Sequence, residues 1–159
     1  TSEVGGNFEL VRGVGSTTVR GIKFTGISTY HDEQRGAKRG GNTVFVIESE
    51  GLRVAHLGDI GHTVDKTLLS QVGRVDVLMV PVGGVYTVDS QGAFSIVESL
   101  SPKVVIPMHF KIRGLSLQIA DEKGFLSRFK SVERKKELEI TKESLPAQTK
   151  VVVLEKSEG

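Results

Sequence analysis

The sequence has 159 residues, of which 38% are hydrophobic and 25% charged, with no cysteine and a formal net charge of +2. This length and composition are typical of one globular domain with a buried core, so we expect a single domain over residues 1–159. The lack of cysteine excludes disulfides and thiolate metal ligands, so any metal must bind nitrogen and oxygen donors. We expect a cytoplasmic protein, because no signal-peptide pattern and no apolar run of membrane-spanning length is visible.

The first half of the sequence predicts strands. Residues 19–30 are rich in β-branched side chains and predict a strand that leads to His31, and the charged, glycine-containing residues 32–41 predict a loop. Residues 42–48 and 52–57 predict a hairpin joined by a Ser-Glu-Gly turn.

The second half alternates helical and strand patterns. Helices are predicted over residues 63–72 (with Thr63 as N-cap), 89–100 and 117–130, and strands over 76–80, 103–106, 137–140 and 150–154. Such strand–helix–strand units predict a layered α/β architecture, in which the loops at the strand ends share one edge.

Three predicted strand ends carry histidine or aspartate. They lie in Tyr30-His31-Asp32, in His56-Leu-Gly-Asp59-Ile-Gly-His62 and in Ile106-Pro-Met-His109. Glycine on both sides of Asp59 lets the chain turn sharply there. Imidazole and carboxylate groups at strand ends are what a divalent metal or a hydrolytic water requires.

Each of these residues also has a structural interpretation. His31 suits a surface loop, Asp59 suits a helix cap, and His109 suits a hydrogen-bonded structural role; for these three we favour metal binding. His56 lies inside a strand, where we favour a core histidine. His62 either orients the substrate or the metal shell, or belongs to the start of a helix.

Other polar residues of these loops are weaker candidates. Asp32 and Tyr86 either line a substrate pocket or serve turn formation and packing. Gly83-Gly84 is interpreted as a tight turn near the site. Three residues are expected to pin the loop rather than to contact substrate: Arg39, Asn42 and Thr43.

Five segments, in this order, resemble the metallo-β-lactamase-fold superfamily. They are Tyr30-His-Asp32, Arg39-Gly-Gly-Asn-Thr43, His56-Leu-Gly-Asp-Ile-Gly-His62, Pro81-Val-Gly-Gly-Val-Tyr-Thr-Val-Asp89 and Ile106-Pro-Met-His109. The sequence is most similar to a branch of zinc-dependent hydrolases related to the ascorbate-6-phosphate lactonases. The likeness extends from about residue 19 to 109 and more weakly to the C-terminus.

The resemblance implies an α/β fold, a partial four-layer αββα sandwich with a metal site at one edge. It implies His31, Asp59 and His109 as metal ligands, with Asp59 bridging two metals. Together with the position of His62 at the same edge, this makes Asp59 and His62 the expected catalytic residues. Zinc is the first expectation, with manganese or iron as alternatives. The leading His-x-His-x-Asp-His motif of the family is absent, so we expect the C-terminal part of such a domain, without its first strands and with weak metal binding.

Two functions follow as expectations. The first is a metal-dependent hydrolase, in which a metal-bound hydroxide attacks an ester, lactone or phosphodiester bond of a small-molecule substrate. The alternative is a catalytically silent structural or binding module that assembles with itself. Without its first strands the sheet would have a bare edge and an exposed apolar face, so we expect a homo-oligomer or a missing N-terminal segment to cover it.

Nucleic acid is not an expected partner. The small excess of positive charge is dispersed, apart from a basic cluster at residues 130–136. No aromatic platform is interleaved with this cluster, so we interpret it as the solvated face of a helix or loop.

Overall fold

The structure, a computed structural model, describes residues 8–156. These residues form the strands β1 (Gly15–Val19), β2 (Ile22–Tyr30), β3 (Gly41–Ser49), β4 (Leu52–His56), β5 (Val77–Pro81), β6 (Val104–Met108), β7 (Val132–Lys135) and β8 (Lys150–Leu154). The helices are α1 (Lys66–Val72), α2 (Ser90–Leu100) and α3 (Lys123–Leu126). Within this part of the chain, none of the helices has the length and apolar character needed to cross a membrane.

All of these strands join one sheet in the order β1-β2-β3-β4-β5-β6-β8-β7. Neighbours from β1 to β4 are antiparallel, and those from β4 to β7 are parallel. Because two antiparallel steps separate β2 from β4, β2 runs in the same direction as the parallel strands. The loops that follow Tyr30, His56, Pro81 and Met108 therefore share one edge, which we call the carboxyl edge.

The alternation of side chains along the strands gives the sheet two different faces. One face forms the main core together with residues from all three helices. This core contains Val44, Val46, Ala55, Leu78, Val80, Val105 and Val151 from the sheet, and Leu68, Val72, Ala93, Ile96, Leu100 and Phe125 from the helices. The α/β class is confirmed, and the described residues supply one helical layer and one sheet of the expected sandwich.

The opposite face of the sheet is only partly covered. Leu138 and Ile140 pack there against a small cluster of Val77, Val104, Ile106 and Val152. Further along this face, half-buried side chains line a groove of about 330 Å³; they are Val11, Phe24, Phe45, Ile47, His56 and Met79. The described residues thus leave an apolar groove on this face.

Two hairpins share the same tight turn. The predicted β3–β4 hairpin is confirmed, and both central residues of its turn, Glu50 and Gly51, have positive φ. Arg20 and Gly21 have the same property, so the strand predicted over residues 19–30 begins only at Ile22 as β2, and the turn joins it to β1, which was not predicted. Both turns suit the right-handed twist of the strands they join.

The two longer helices begin at aspartate caps. Asp65, rather than the predicted Thr63, caps α1, because its carboxylate accepts the backbone N–H of Leu68 at 2.8 Å. In α2, Asp89 accepts the N–H of Gly92 at 2.8 Å, close to the predicted start of this helix. Each cap satisfies an N–H group that has no partner within the helix.

The helix predicted over residues 117–130 is mostly wrong, since only α3 forms there. Ala120 donates its N–H to the carbonyl of Gly83 and accepts the N–H of Lys111, each at 2.8 Å. These bonds hold the segment against the loop after β5, so its backbone groups are unavailable for helical hydrogen bonds. The competing partners are distant in sequence, and the local pattern cannot reveal them.

The strand predicted over residues 137–140 is also wrong. Its apolar residues, Leu138 and Ile140, pack on the partly covered face without pairing to a neighbouring strand. The extra strand is β7, which lies within the basic cluster and forms the outer edge of the sheet. Its side chains are largely exposed, and charged residues on an edge strand discourage pairing with other chains.

A buried carboxylate, Asp76, stabilises the end of the sheet that lies opposite the carboxyl edge. Asp76 is 2% exposed, and its oxygens accept bonds from Lys142 Nζ at 3.0 and 3.1 Å, Arg74 at 2.7 Å and the N–H of Arg53 at 2.9 Å. Burial by itself raises the pKa of Asp76, but these donors outweigh burial and hold its pKa below the ordinary value. Asp76 therefore ties the segment around Lys142 to β4 and β5.

Replacing Asp76 with asparagine is expected to lower the free energy of unfolding by about 2 kcal/mol, the scale of a hydrogen bond to a charged group. Because the pKa is depressed in the folded state, this stabilisation is present above pH about 4 and is lost as the pH falls through the folded pKa. Urea unfolding of both proteins between pH 7 and pH 3 tests this. Equal slopes of stability against pH for the two proteins would contradict it.

The matched control is Glu133→Gln. Glu133 also pairs with two lysines, Lys135 and Lys150, but it is half-exposed. If Glu133→Gln lowers the free energy of unfolding at neutral pH as much as Asp76→Asn does, burial of the carboxylate is not the cause of the loss in Asp76→Asn.

Candidate active site

His31 and Asp59 meet at the carboxyl edge. His31 follows β2, and its Nε2 lies 3.9 Å from Oδ2 of Asp59. This nitrogen is buried, and no group among residues 8–156 forms a hydrogen bond with it. The Asp59 side chain is 52% exposed, so its carboxylate is open to the solvent. The pair is one part of the predicted ligand set that the structure brings together.

The turn that carries Asp59 is fixed by Asn42. Asn42 Oδ1 accepts the N–H of Asp59 at 3.0 Å, while its Nδ2 donates to the carbonyl of Leu57 at 2.9 Å. Gly58 has a φ of +58°, and a Cβ there would lie 2.4 Å from Asn42 Oδ1. The prediction that Asn42 pins a loop is confirmed, and the loop it pins is the one that presents Asp59.

His109 occupies the end of β6 in a strained conformation. Its φ of +51° lies in the left-handed region, which costs a residue other than glycine about 1 to 3 kcal/mol. Gly83 packs against it so closely that a Cβ would lie 2.2 Å from the His109 carbonyl oxygen. Nδ1 of His109 is buried and, like Nε2 of His31, has no hydrogen-bond partner in the described part of the chain.

His109 lies at the same edge but does not join the other two in a compact cluster. Residues 8–156 contain no group of three or more His, Asp or Glu side chains that could hold a metal ion. Asp59 follows β4, which is two strands from β2 and two strands from β6. With strands about 4.8 Å apart, each of these separations is about 10 Å along the sheet. Asp59 is therefore midway between the strands that carry the two histidines.

Both ring nitrogens of His62 are engaged by the backbone. Nε2 accepts the N–H of Tyr30 at 3.3 Å, so Nδ1 carries the proton in its 2.8 Å bond to the carbonyl of Thr63. The ring also packs at a tilt on Tyr30, with centroids 6.0 Å apart. His62 thus joins the Asp59 loop to the end of β2, and neither nitrogen is free to exchange a proton with a substrate in this arrangement.

Asp32 organises its own loop. Its buried carboxylate accepts four backbone N–H groups at 2.7 to 3.0 Å, from Gln34, Gly36, Lys38 and Arg39. Burial raises the pKa of Asp32, but the four donors outweigh it, so the pKa lies below its ordinary value. The structural interpretation of Asp32 is the one these contacts support, because its oxygens are already occupied.

A cleft of about 180 Å³ lies beside His31. It is lined by Asp32, Glu33, Gln34, Lys38, Arg39, Gly61 and Tyr86. Tyr86 is 38% exposed, and the guanidinium carbon of Arg39 lies 5.5 Å from the centre of its ring. Asp32 and Tyr86 both line this cleft, but the Asp32 carboxylate faces its own loop, and substrate binding by either residue stays a prediction.

Comparison with known proteins identifies the family. A solved structure from Thermotoga maritima, named as a proposed zinc-dependent hydrolase of the metallo-β-lactamase superfamily, matches with a TM-score of 0.84 and 40% identity. The match covers 95% of this chain and 74% of that one. A family model described as a beta-lactamase superfamily domain matches residues 1–109. The chain belongs to the metallo-β-lactamase superfamily.

Curated relatives in this superfamily are named UPF0173 metal-dependent hydrolases. One from Thermoplasma acidophilum is 30% identical over 96 residues, which are 60% of this chain and 43% of the relative. One from Pyrobaculum islandicum is 34% identical over 116 residues, which are 73% of this chain and 49% of the relative. The chain thus spans less than half the length of these relatives.

The donor atoms at the carboxyl edge fit the divalent metal that this superfamily implies. A buried imidazole nitrogen without a partner costs free energy, so two such atoms at one edge call for an explanation. Imidazole nitrogen together with a carboxylate suits zinc, manganese or iron. His31 and Asp59 supply two neighbouring donors, and His109 supplies a third donor at the same edge.

The sequence pattern does not reveal the contact that holds the Asp59 loop against the end of β2. Gly61 lies against the His31 backbone, and a Cβ there would be 2.3 Å from the His31 carbonyl carbon. His56, in contrast, is inside β4 as predicted, and its Nδ1 accepts the N–H of Gly58 at 3.0 Å. The glycines of the Asp59 loop are visible in the sequence, but the segment that each one contacts is not.

Replacing Gly61 with alanine is expected to push the His31 backbone away from Asp59. Overpacking of this kind costs about 1 to 3 kcal/mol of stability. NMR shifts of the His31 ring should change together with the loss of stability. Gly41→Ala is the matched control, because a Cβ there would come no closer than 3.9 Å to another group. Equal effects of both substitutions would refute the close contact.

Proposed function

We propose that this chain contributes to the metal site of a metal-dependent hydrolase, with His31, Asp59 and His109 as ligands. The observation that carries the proposal is the pair of buried, unpartnered imidazole nitrogens at the edge where Asp59 projects. The names of the curated relatives support the same reaction class.

The placement of Asp59 suits a bridging ligand. Its strand lies midway between the strands of His31 and His109, and its exposed carboxylate has two oxygens that could face opposite sides. Asn42 fixes the turn through the backbone N–H of Asp59, so both carboxylate oxygens stay available. Asp59 is therefore the residue that we expect metal binding to depend on most.

The proposed substrate is a small molecule with an ester, lactone or phosphodiester bond. A bound divalent metal, zinc being our first choice, would supply Lewis acidity and an activated water. The Asp59 side chain is about half-exposed, so a substrate can approach its carboxylate from the solvent. We propose that His62 acts by positioning, since its two ring bonds hold the Asp59 loop against β2.

We further propose that residues 1–159 form one domain that corresponds to the C-terminal part of the family fold. The continuous sheet of the described residues supports this unit. The apolar groove beside Phe45 and Met79 supports a contact surface, covered by a second copy or by the part of the fold that the longer relatives possess.

A silent binding module is the second candidate. The observation that favours it is the lack, among residues 8–156, of a compact group of three metal-binding side chains. A module of this kind would keep the scaffold and its loops but hold no metal. Metal analysis separates the two candidates.

The test is the metal content of the purified chain after dialysis against zinc or manganese. At saturating metal the proposal expects the parent chain to bind zinc or manganese, with the affinity reduced by at least about tenfold in Asp59→Ala and in His31→Ala, since loss of outer-shell partners alone has that effect. His56→Asn is the control, because an amide oxygen can still accept the N–H of Gly58. Absence of bound metal in the parent chain, or equal loss in the control, would favour the silent module.

A further inference from the structure

Arg39 has no carboxylate partner in the described chain. Arg53, Arg74 and Arg134 each form an ion pair with a carboxylate, whereas no carboxylate of residues 8–156 lies within ion-pairing distance of Arg39. Its guanidinium instead rests over the ring of Tyr86 at 5.5 Å. The side chain is exposed and lines the cleft next to His31.

The backbone around Arg39 is built to keep this position. The N–H groups of Lys38 and Arg39 both donate to Oδ2 of Asp32, at 3.0 and 2.7 Å. Asp32 directly follows His31, so one buried carboxylate fixes the base of the Arg39 side chain relative to the proposed metal ligand. Contact with an aromatic face adds a preferred orientation to the guanidinium.

The formal charges that line the cleft balance, but they are not equally available to a ligand. The Asp32 carboxylate is ionised, and both of its oxygens are occupied by four backbone N–H donors of its own loop. The remaining charged groups are Lys38, Arg39 and Glu33, two positive and one negative. A planar guanidinium with free donors binds carboxylate and phosphate groups through paired hydrogen bonds.

We infer that Arg39, seated over Tyr86, binds an anionic group of the substrate, a phosphate or a carboxylate. The inference rests on the proposed function, because an anion site determines specificity only if the chain takes part in hydrolysis. It adds that the substrate carries an anionic group. The anionic group occupies the cleft, and the bond to be cleaved lies toward His31 and Asp59, because Gly61 both lines the cleft and touches the His31 backbone.

The test uses the metal-free chain, dialysed against a chelator, and two probes: inorganic phosphate and acetate. Binding is measured by calorimetry and by NMR shifts of the Arg39 and Tyr86 signals. Arg39→Gln is expected to weaken binding of the preferred anion by about tenfold or more. Arg39→Lys should have an intermediate effect, because it keeps the charge but loses the paired geometry. The tighter of the two probes identifies the anion class.

Arg128→Gln is the matched control. The Arg128 guanidinium lies 5.3 Å from the centre of the Phe94 ring, the same kind of contact away from the cleft. Its substitution should leave anion binding unchanged. Equal losses in Arg39→Gln and Arg128→Gln, full binding by Arg39→Gln, or no binding of either anion by the parent chain would each overturn the inference.

A metal assay on the same samples separates this inference from the proposed function. If the parent chain holds no metal but binds phosphate or acetate through Arg39, the anion site stands and the hydrolase proposal fails. If metal binds normally in Arg39→Gln and anion binding is unchanged, the hydrolase proposal stands and the anion site fails.

Discussion

The direction of the strands is the constraint on which the rest of the structure depends. Two antiparallel steps turn β2 so that it runs with β4, β5 and β6, and their carboxyl ends meet at one edge. Residues far apart in sequence, His31 and Asp59 among them, reach the same edge because of this direction, and the loop contacts of Gly61 and His62 bring the two loops together. Burial of valine-rich strands beneath the helices holds the arrangement, and loop residues such as Leu57, Ile60 and Val82 are buried in the same core.

Local patterns in the sequence predict the elements whose hydrogen bonds are local. The β3–β4 hairpin and α2 follow from turn residues, an aspartate cap and helical spacing within a few positions. The region of residues 117–130 could not be predicted in this way, because Ala120 is bonded to Gly83 and Lys111 rather than to its neighbours. Likewise, the apolar spacing of Leu138 and Ile140 reflects burial on a sheet face, not strand pairing.

The candidate site, too, could be predicted only in part. The residue types and the strand ends that carry them can be read from the sequence, whereas their surroundings cannot. Asp32 shows this: a carboxylate beside a candidate ligand suggests a pocket wall, yet four backbone donors from its own loop occupy it. Gly61 and Gly83 similarly look like turn residues until the backbones that they contact, at His31 and His109, are known.

The central claim is that the carboxyl edge holds a divalent cation between His31 and Asp59. Anomalous diffraction from crystals of the chain soaked in zinc tests it most directly. The account predicts an anomalous peak about 2.0 to 2.2 Å from Nε2 of His31 and from an oxygen of Asp59. The absence of a peak at this edge at saturating zinc, or a peak bound only by residues elsewhere, would contradict it.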